Sequence, residues 1–342
     1  LTQATNPVKI YEYLSAGKPV VSVDVPEIAQ FGSLVAVGGS HDAFLDHIHD
    51  ALSCPADAAA IAARRSFAAR NTWDVRASEL AEAVAQFQPP KVSIIVITYN
   101  SLELTDACLL SLERHTHYPN LEIIVVDNAS QDQTPDFLRG WASRADNRTV
   151  ILNDDNRGFA AANNQGIAAA SGEYIVLLNN DTYVTPGWLG TLIRHLRRHP
   201  TLGLVGPVTN NIGNEAKIDI AYDNMYEMQR EALAYTSRHL GQLYPLRTVA
   251  FFCVAMSRQL IERVGTLDEA FGIGMFEDDD YCRRVEQAGL SGACAEDAFV
   301  HHHHSASFKK IATEELHALF QANRAIYEGR WGPWVPHTYR NG

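Results

Sequence analysis

The sequence predicts an α/β fold: a mixed, mostly parallel sheet with helices on both faces over about residues 92–308, preceded by a smaller α/β segment. Three observations predict it. Strand-length apolar runs such as Val92–Ile97 and Ile123–Val126 are continuous, as in strands buried on both faces. Segments with helical composition separate them. The residues directly after the first four strands are polar, and ligands sit at the carboxyl ends of the strands in such sheets.

In chain order, residues 1–86 read as a helix over Val8–Ser15 stopped by Gly17, a strand over Pro19–Val25, a short strand over Leu34–Val37, and helices to about residue 86. The stretch 56–86 is Ala-rich and favours helix. Two strands are too few for an independent doubly wound domain, so this segment is expected to be the tail of one. Gln88-Pro89-Pro90 breaks the last helix and sets a linker at 87–91. Beyond it, strands are expected at 92–98, 122–127, 149–153, 174–179, 202–206 and 248–256. Helices are expected at 102–115, 133–143, 159–170, 187–199, 257–264, 278–288 and 311–328. Residues 309–342 form a last helix and a tail.

Length and composition bound the function. The 342 residues suit two domains, and 46% hydrophobic with 20% charged residues is ordinary for a globular protein. A formal net charge of −12 argues against nucleic acid, whose phosphates need Lys and Arg. An anionic sugar nucleotide remains compatible, because a metal and a few local cations offset the global charge. The five cysteines are odd in number and contain no Cys-x-x-Cys pair. Neither a disulfide framework nor a zinc knuckle is expected, and a reducing, cytoplasmic compartment is. No apolar run approaches the roughly 18–20 residues of a membrane span. No signal-peptide pattern opens the chain, and its start without Met predicts a longer parent.

The polar strand ends carry the chemistry. They are Thr98-Tyr99-Asn100, Asp127-Asn128-Ala129-Ser130, Asn153-Asp154-Asp155-Asn156-Arg157-Gly158 and Asn179-Asn180-Asp181-Thr182. Any one of them could merely cap the next helix; four together form the rim of one crevice. Tyr99 suits a pyrimidine face, Asp127 can accept from base or ribose, Arg157 can reach a phosphate, and Asp181 offers a hard oxygen to Mg²⁺ or Mn²⁺. Neither a P-loop nor a Gly-x-Gly-x-x-Gly turn is present, so a diphosphate leaving group would need a metal.

On these residues the stretch 91–308 resembles family 2 glycosyltransferases of the GT-A fold. The resemblance rests on Val92–Asn100, Ile124–Ser130, Asn156–Ile167, Leu177–Thr182 and Phe276–Asp280. The variant is most similar to bacterial rhamnosyltransferases, with Asn179-Asn180-Asp181 where many relatives carry Asp-x-Asp. The resemblance implies donor contacts from Thr98, Tyr99, Asn100, Asp127, Asn128, Arg157, Asn164, Asn179 and Asn180. It implies Asp278 as the base, with Glu277 beside it, while Asp279 and Asp280 cap the helix. In the run His301–His304, the family pattern near Ser305-Ala306-Ser307-Phe308 selects His302 as metal ligand and His303 second. The implied reaction is an inverting, Mn²⁺- or Mg²⁺-dependent transfer from a dTDP- or UDP-linked sugar to a glycan or lipid-linked glycan in bacterial surface polysaccharide synthesis. The region 209–247, with Asn210, Asn211 and Asn214, is expected to shape the acceptor side. Helix 311–328 and Trp331–Trp334 are expected to pack on the core rather than touch a membrane-bound acceptor.

Residues 6–21 resemble the donor-side motif of GT-B glycosyltransferases, and Asn71-Thr72-Trp73 resembles the end of that Rossmann-like fold. Glu12 would be the ribose contact, but Ala4 stands where many relatives carry Glu. An inactive fragment is the expectation. A sugar-nucleotide-binding module without turnover and a nucleotidyltransferase are the rival classes. The latter would carry a Gly-rich, Lys-containing first loop, and Thr98–Ser101 is not one. A processive membrane synthase would carry Gln-x-x-Arg-Trp, but Ala325 follows Arg324.

Overall fold

A computed structural model describes residues 7–53, 57–303 and 313–340. The chain divides into two compact units, Leu1–Gln88 and Pro89–Gly342. The first contains α1 (Val8–Ser15), β1 (Val20–Val23), β2 (Val35–Gly38), α2 (His41–Ser53), α3 (Ala58–Ala69) and α4 (Trp73–Gln86). Its two strands pair in parallel, and Ile10, Leu14, Ile28, Phe31 and Val35 form a small core. Ala4, Asn6 and Cys54 lie outside the described residues.

The second unit runs β3 (Val92–Thr98), α5 (Leu102–His115), β4 (Leu121–Asp127), α6 (Thr134–Ala142), β5 (Arg148–Leu152), α7 (Gly158–Ala169) and β6 (Tyr174–Asn179). It continues through β7 (Thr182–Val184), α8 (Trp188–Arg198), β8 (Leu202–Val208), α9 (Met225–Arg238), β9 (Leu243–Leu246) and β10 (Cys253–Ser257). α10 (Arg258–Val264), α11 (Glu277–Gln287), β11 (Ser291–His302) and α12 (Thr313–Trp331) complete it. Among the described residues the sheet has nine strands in the order β5-β4-β3-β6-β10-β8-β11-β7, with β9 on β11. β3, β4, β5 and β6 are mutually parallel, as are β8 and β11, whereas β10, β7 and β9 run antiparallel to their neighbours.

The period of two in a strand sorts the core into two layers. Ile94, Val96, Ile123 and Val125 pack with Leu109, Trp141, Trp188 and Leu192 on one face. Ile95, Ile124 and Val126 pack with Ala162, Ile167, Val254 and Tyr281 on the other. α7 lies so close to β3 that a Cβ on Gly166 would stand 2.3 Å from Ile95 Cγ2. The described cysteines are free and buried, and burial pushes the Cys108 thiol up to about 12. Among the described residues, no helix is long and apolar enough to cross a membrane.

Five elements depart from expectation: the short strands β7 and β9, which no expected strand covers, and β10, α9 and β11. The strand expected at 248–256 begins only at Cys253, where it finds β6 opposite; Val249 and Phe251 are buried but not part of its ladder. Apolarity reports burial, not pairing. α9 was not foreseen, because its buried side is only Met228 and Ala232. β11, at 12 residues, was hidden by small residues and by Glu296-Asp297 at its centre. Both carboxylates are buried there and paired: Glu296 with Arg340 at 2.6 Å, and Asp297 with Arg194 at 2.8 Å and His195 at 2.7 Å.

Candidate functional site

The rim at the strand ends is built by buried polar groups that bond to one another. Asp127 accepts from the Ser130 N–H at 3.0 Å and from its hydroxyl at 2.5 Å, which folds the β4 end into a turn with Ala129 at φ 68°. The Asn128 amide donates to Asn156 Oδ1 (2.8 Å) and to the Gly158 carbonyl (3.1 Å). Its oxygen accepts from Arg157 N–H (3.0 Å) and Asn153 Nδ2 (3.1 Å). Thr98 and Thr105 share a hydrogen bond of 2.7 Å, and Asn180 Nδ2 donates to both. Asn164 braces the loop after α10, exchanging bonds with Leu267 N–H and carbonyl and donating to Glu269.

Thr98, Asn128, Asn164 and Asn180, read from sequence as donor contacts, therefore carry hydrogen bonds within the protein that brace the strand ends and, for Asn164, the loop after α10, as polar groups withdrawn from water must. Tyr99 is 37% exposed, Arg157 is half-exposed beside Asp155, and Asn179 is half-buried at the end of β6. Asn100 has φ 48°, and its Oδ1 accepts from Gln131 N–H across the crevice. Non-glycine residues with positive φ cost energy and cluster where a site requires them. Here they stand at Asn100, Ala129, Met275 and Phe276.

Asp181 meets His302 because β7 pairs antiparallel with the end of β11, setting Thr182 opposite His302. The ladder continues as His303 N–H donates to the Asp181 carbonyl at 2.9 Å. His302 Nε2 lies 3.2 Å from Asp181 Oδ1. His302 Nδ1 lies 2.9 Å from the Asn211 carbonyl oxygen, which can only accept. In the neutral ring the hydrogen is therefore on Nδ1 and the lone pair on Nε2, the form that binds a metal through Nε2. The ring is stacked on Phe252 at 4.9 Å. Two atoms about 2.1 Å from one ion and roughly at right angles stand about 3 Å apart, so this pair fits adjacent positions on one Mg²⁺ or Mn²⁺.

His303 does not join the pair. Its ring packs on His301 at 4.3 Å, Nδ1 to Nε2 at 3.3 Å, and among the described residues no third His, Cys, Asp or Glu completes a metal-ligating cluster. Alternation along the strand turns neighbouring side chains apart. His304 and Ser305–Phe308 lie outside the described residues.

The acid patch opens α11. The loop before it passes against the rim: Phe159 N–H donates to the Ile273 carbonyl at 3.3 Å, and a Cβ on Gly158 (φ +81°) would stand 2.0 Å from the Gly272 carbonyl. Glu277 is 8% exposed, and its Oε2 has no hydrogen-bond partner among the described residues. Burial, then the charges of Asp278 and Asp279, push its carboxyl up to about 8. Burial and then Asp279 push Asp278 up to about 7, against the pull of His337.

The expectation that Asp279 and Asp280 only cap the helix needs correction. Asp279 accepts from Thr248 at 2.9 Å and pairs with His337 at 3.3 Å. Asp280 binds Arg284 (2.9 Å), Arg330 (3.1 Å) and the Trp331 indole (2.9 Å). α12 thus packs on the patch, and Asn323 Nδ2 reaches the carbonyls of Phe271 (2.8 Å), Gly274 (2.8 Å) and Met275 (3.1 Å). Sequence reading missed Asn323 and Arg330 altogether, since neither stands in a motif.

The family described as Glycosyl transferase family 2 matches residues 93–265. "Uncharacterized protein y4gI" of Sinorhizobium fredii is 30% identical over 253 residues, 71% of this chain and 28% of that protein. "O-antigen biosynthesis protein RfbC" of Myxococcus xanthus is 29% identical over 255 residues, 71% of this chain and 20% of its own. The chain thus spans less than a third of either relative. Among solved structures, "GalNAc-T7 with UDP, GalNAc and Mn2+" superposes with a TM-score of 0.52 at 16% identity, covering 62% of this chain and 44% of that one, a likeness of fold. Asp278 and His302 lie beyond the residues that the family matches.

Proposed function

The chain belongs to glycosyl transferase family 2, and from that premise we propose that it transfers a sugar, with inversion, from a nucleotide-diphosphate donor to a hydroxyl of a glycan or lipid-linked glycan. Asp181 and His302 would hold a Mn²⁺ or Mg²⁺ on the donor diphosphate. The observation that carries this reading is their 3.2 Å pairing, with His302 Nδ1 tied to a carbonyl and Nε2 turned to the carboxylate. When bound, the ion supplies positive charge to the leaving diphosphate. Tyr99, Asn100, Asp127, Arg157 and Asn179 form the donor side. Asp278 accepts the proton of the acceptor hydroxyl as its oxygen attacks the anomeric carbon, and Glu277 beside it keeps the local carboxyl pair basic. A carboxyl raised to about 7 suits a base working near neutral pH.

The donor is proposed to be dTDP-rhamnose or a UDP-sugar, and the context to be surface polysaccharide synthesis on the cytoplasmic side, in keeping with the O-antigen biosynthesis relative. Residues 1–86 are proposed to be a GT-B-like remnant that takes no part in transfer, Glu12 being exposed on α1.

A thermal-shift panel of UDP-, GDP- and dTDP-sugars with and without Mn²⁺, followed by turnover assays, tests the proposal. A metal-dependent shift with one nucleotide and transfer from that donor are the expected result. No shift with any donor would overturn it.

A further inference from the structure

The tail after α12, residues 332–340, is anchored on either side of His337. On one side Trp334 N–H donates to Glu328 at 3.0 Å. On the other, Thr338 donates to Glu215 at 2.5 Å, and Arg340 pairs with Glu296 at 2.6 Å, donates to the Glu215 carbonyl and lies over the Tyr244 ring at 4.3 Å. Between these anchors His337 Nε2 stands 3.3 Å from Asp279 Oδ2, with the Trp334 ring edge-on at 5.8 Å. The other oxygen of Asp279 is taken by Thr248 at 2.9 Å. Asp279 is thereby fixed from both sides, and it is the residue next to Asp278. A segment past the last helix is ordinarily loosely held; this one is fastened so that a half-buried imidazole meets a buried carboxylate.

We infer that His337 is a positioning residue for the proton transfer assigned to Asp278: held by the tail, it fixes Asp279 and balances the charge of the acid patch so that Asp278 is available as an acceptor of the proton. This rests on the reading of Asp278 as the base.

The charged groups facing the imidazole are Asp278 and Asp279 of α11 and Glu215 of the segment after β8, while Arg340 on its own tail is committed to Glu296. Burial lowers the imidazole and the three carboxylates outweigh it, so the net shift is upward. Reciprocally, the imidazolium pulls Asp278 down. Removing it leaves Asp278 protonated to higher pH.

The test is kcat/KM against pH for the wild type and for His337→Gln, which keeps a hydrogen-bonding side chain and discards the charge. The acid limb is expected to move up by about one unit, a loss of roughly tenfold on the acid side that recovers at alkaline pH. Donor affinity by calorimetry is expected to stay unchanged. An unmoved acid limb, or an equal loss at every pH, would overturn the inference. A second arm needs no turnover. The His337 ring resonance, followed by NMR through a pH titration, should titrate lower in Asp279→Asn, because the carboxylate that raises it is neutralised. An unshifted titration there would refute the ion pair. A wild type without transfer would instead defeat the reading of the reaction, leaving the ring titration to decide the pairing.

Discussion

Asn210 grips His302 by its backbone: Asn210 Oδ1 accepts from the His302 N–H at 2.9 Å, and Nδ2 donates to the His302 carbonyl at 3.3 Å. The next residue supplies the carbonyl that orients the imidazole. Partners of this kind typically govern metal affinity by about 10–100-fold. Asn210→Ala is expected to raise the Mn²⁺ concentration needed for half-maximal donor binding by that factor, read by calorimetry. His302→Ala should remove metal-dependent donor binding.

Asp278→Asn should abolish transfer while donor binding persists. Turnover at the wild-type rate in that variant sinks the assignment of the base.

The raised carboxyls also set a pH dependence of stability. Glu277 and Asp278 hold protons in the folded state to about 8 and about 7, above their ordinary values of 4.5 and 3.8. Their contribution is present in full below the unfolded values and is lost as pH rises through the folded ones. The melting temperature should therefore fall between about pH 4 and pH 8. Glu277→Gln should flatten that fall, by about 2–4 °C for each kcal/mol regained.

Gly158→Ala meets the Gly272 carbonyl at 2.0 Å and a φ of +81°. A loss on the order of 2 kcal/mol or more is expected in urea unfolding, because backbone atoms on both sides must move.

Asn323→Ala leaves three loop carbonyls without their shared donor. A cost of about 1–3 kcal/mol is expected. A fall in kcat larger than any change in donor affinity would place the effect on the acid patch.

The central strands were legible because their apolar runs are uninterrupted: the expected 92–98 and 174–179 coincide with β3 and β6. The family match and the mixed, mostly parallel sheet agree with the resemblance read from the strand ends. What stayed illegible is long-range pairing. Nothing near Asn323 or His337 in sequence says that they reach the acid patch, since that contact is made by elements far apart along the chain. Buried charge is equally silent at β11, where nothing nearby in sequence pairs Glu296 with Arg340 or Asp297 with His195. Nor does sequence say which strand-end amides brace one another, as Asn128 does with Asn153 and Asn156.

The β7–β11 pairing that unites Asp181 with His302 has a consequence for the order of assembly. A nascent chain completes the parallel half of the sheet before the strand bearing the imidazole has been made, and such distant closures are slow steps in folding. Asp181 and His302, the ligands proposed for the ion, therefore come together only after that last strand has docked. Ligand occupancy then becomes a report on the completed fold, and the donor–metal pair should slow unfolding by holding shut the contact that closes last.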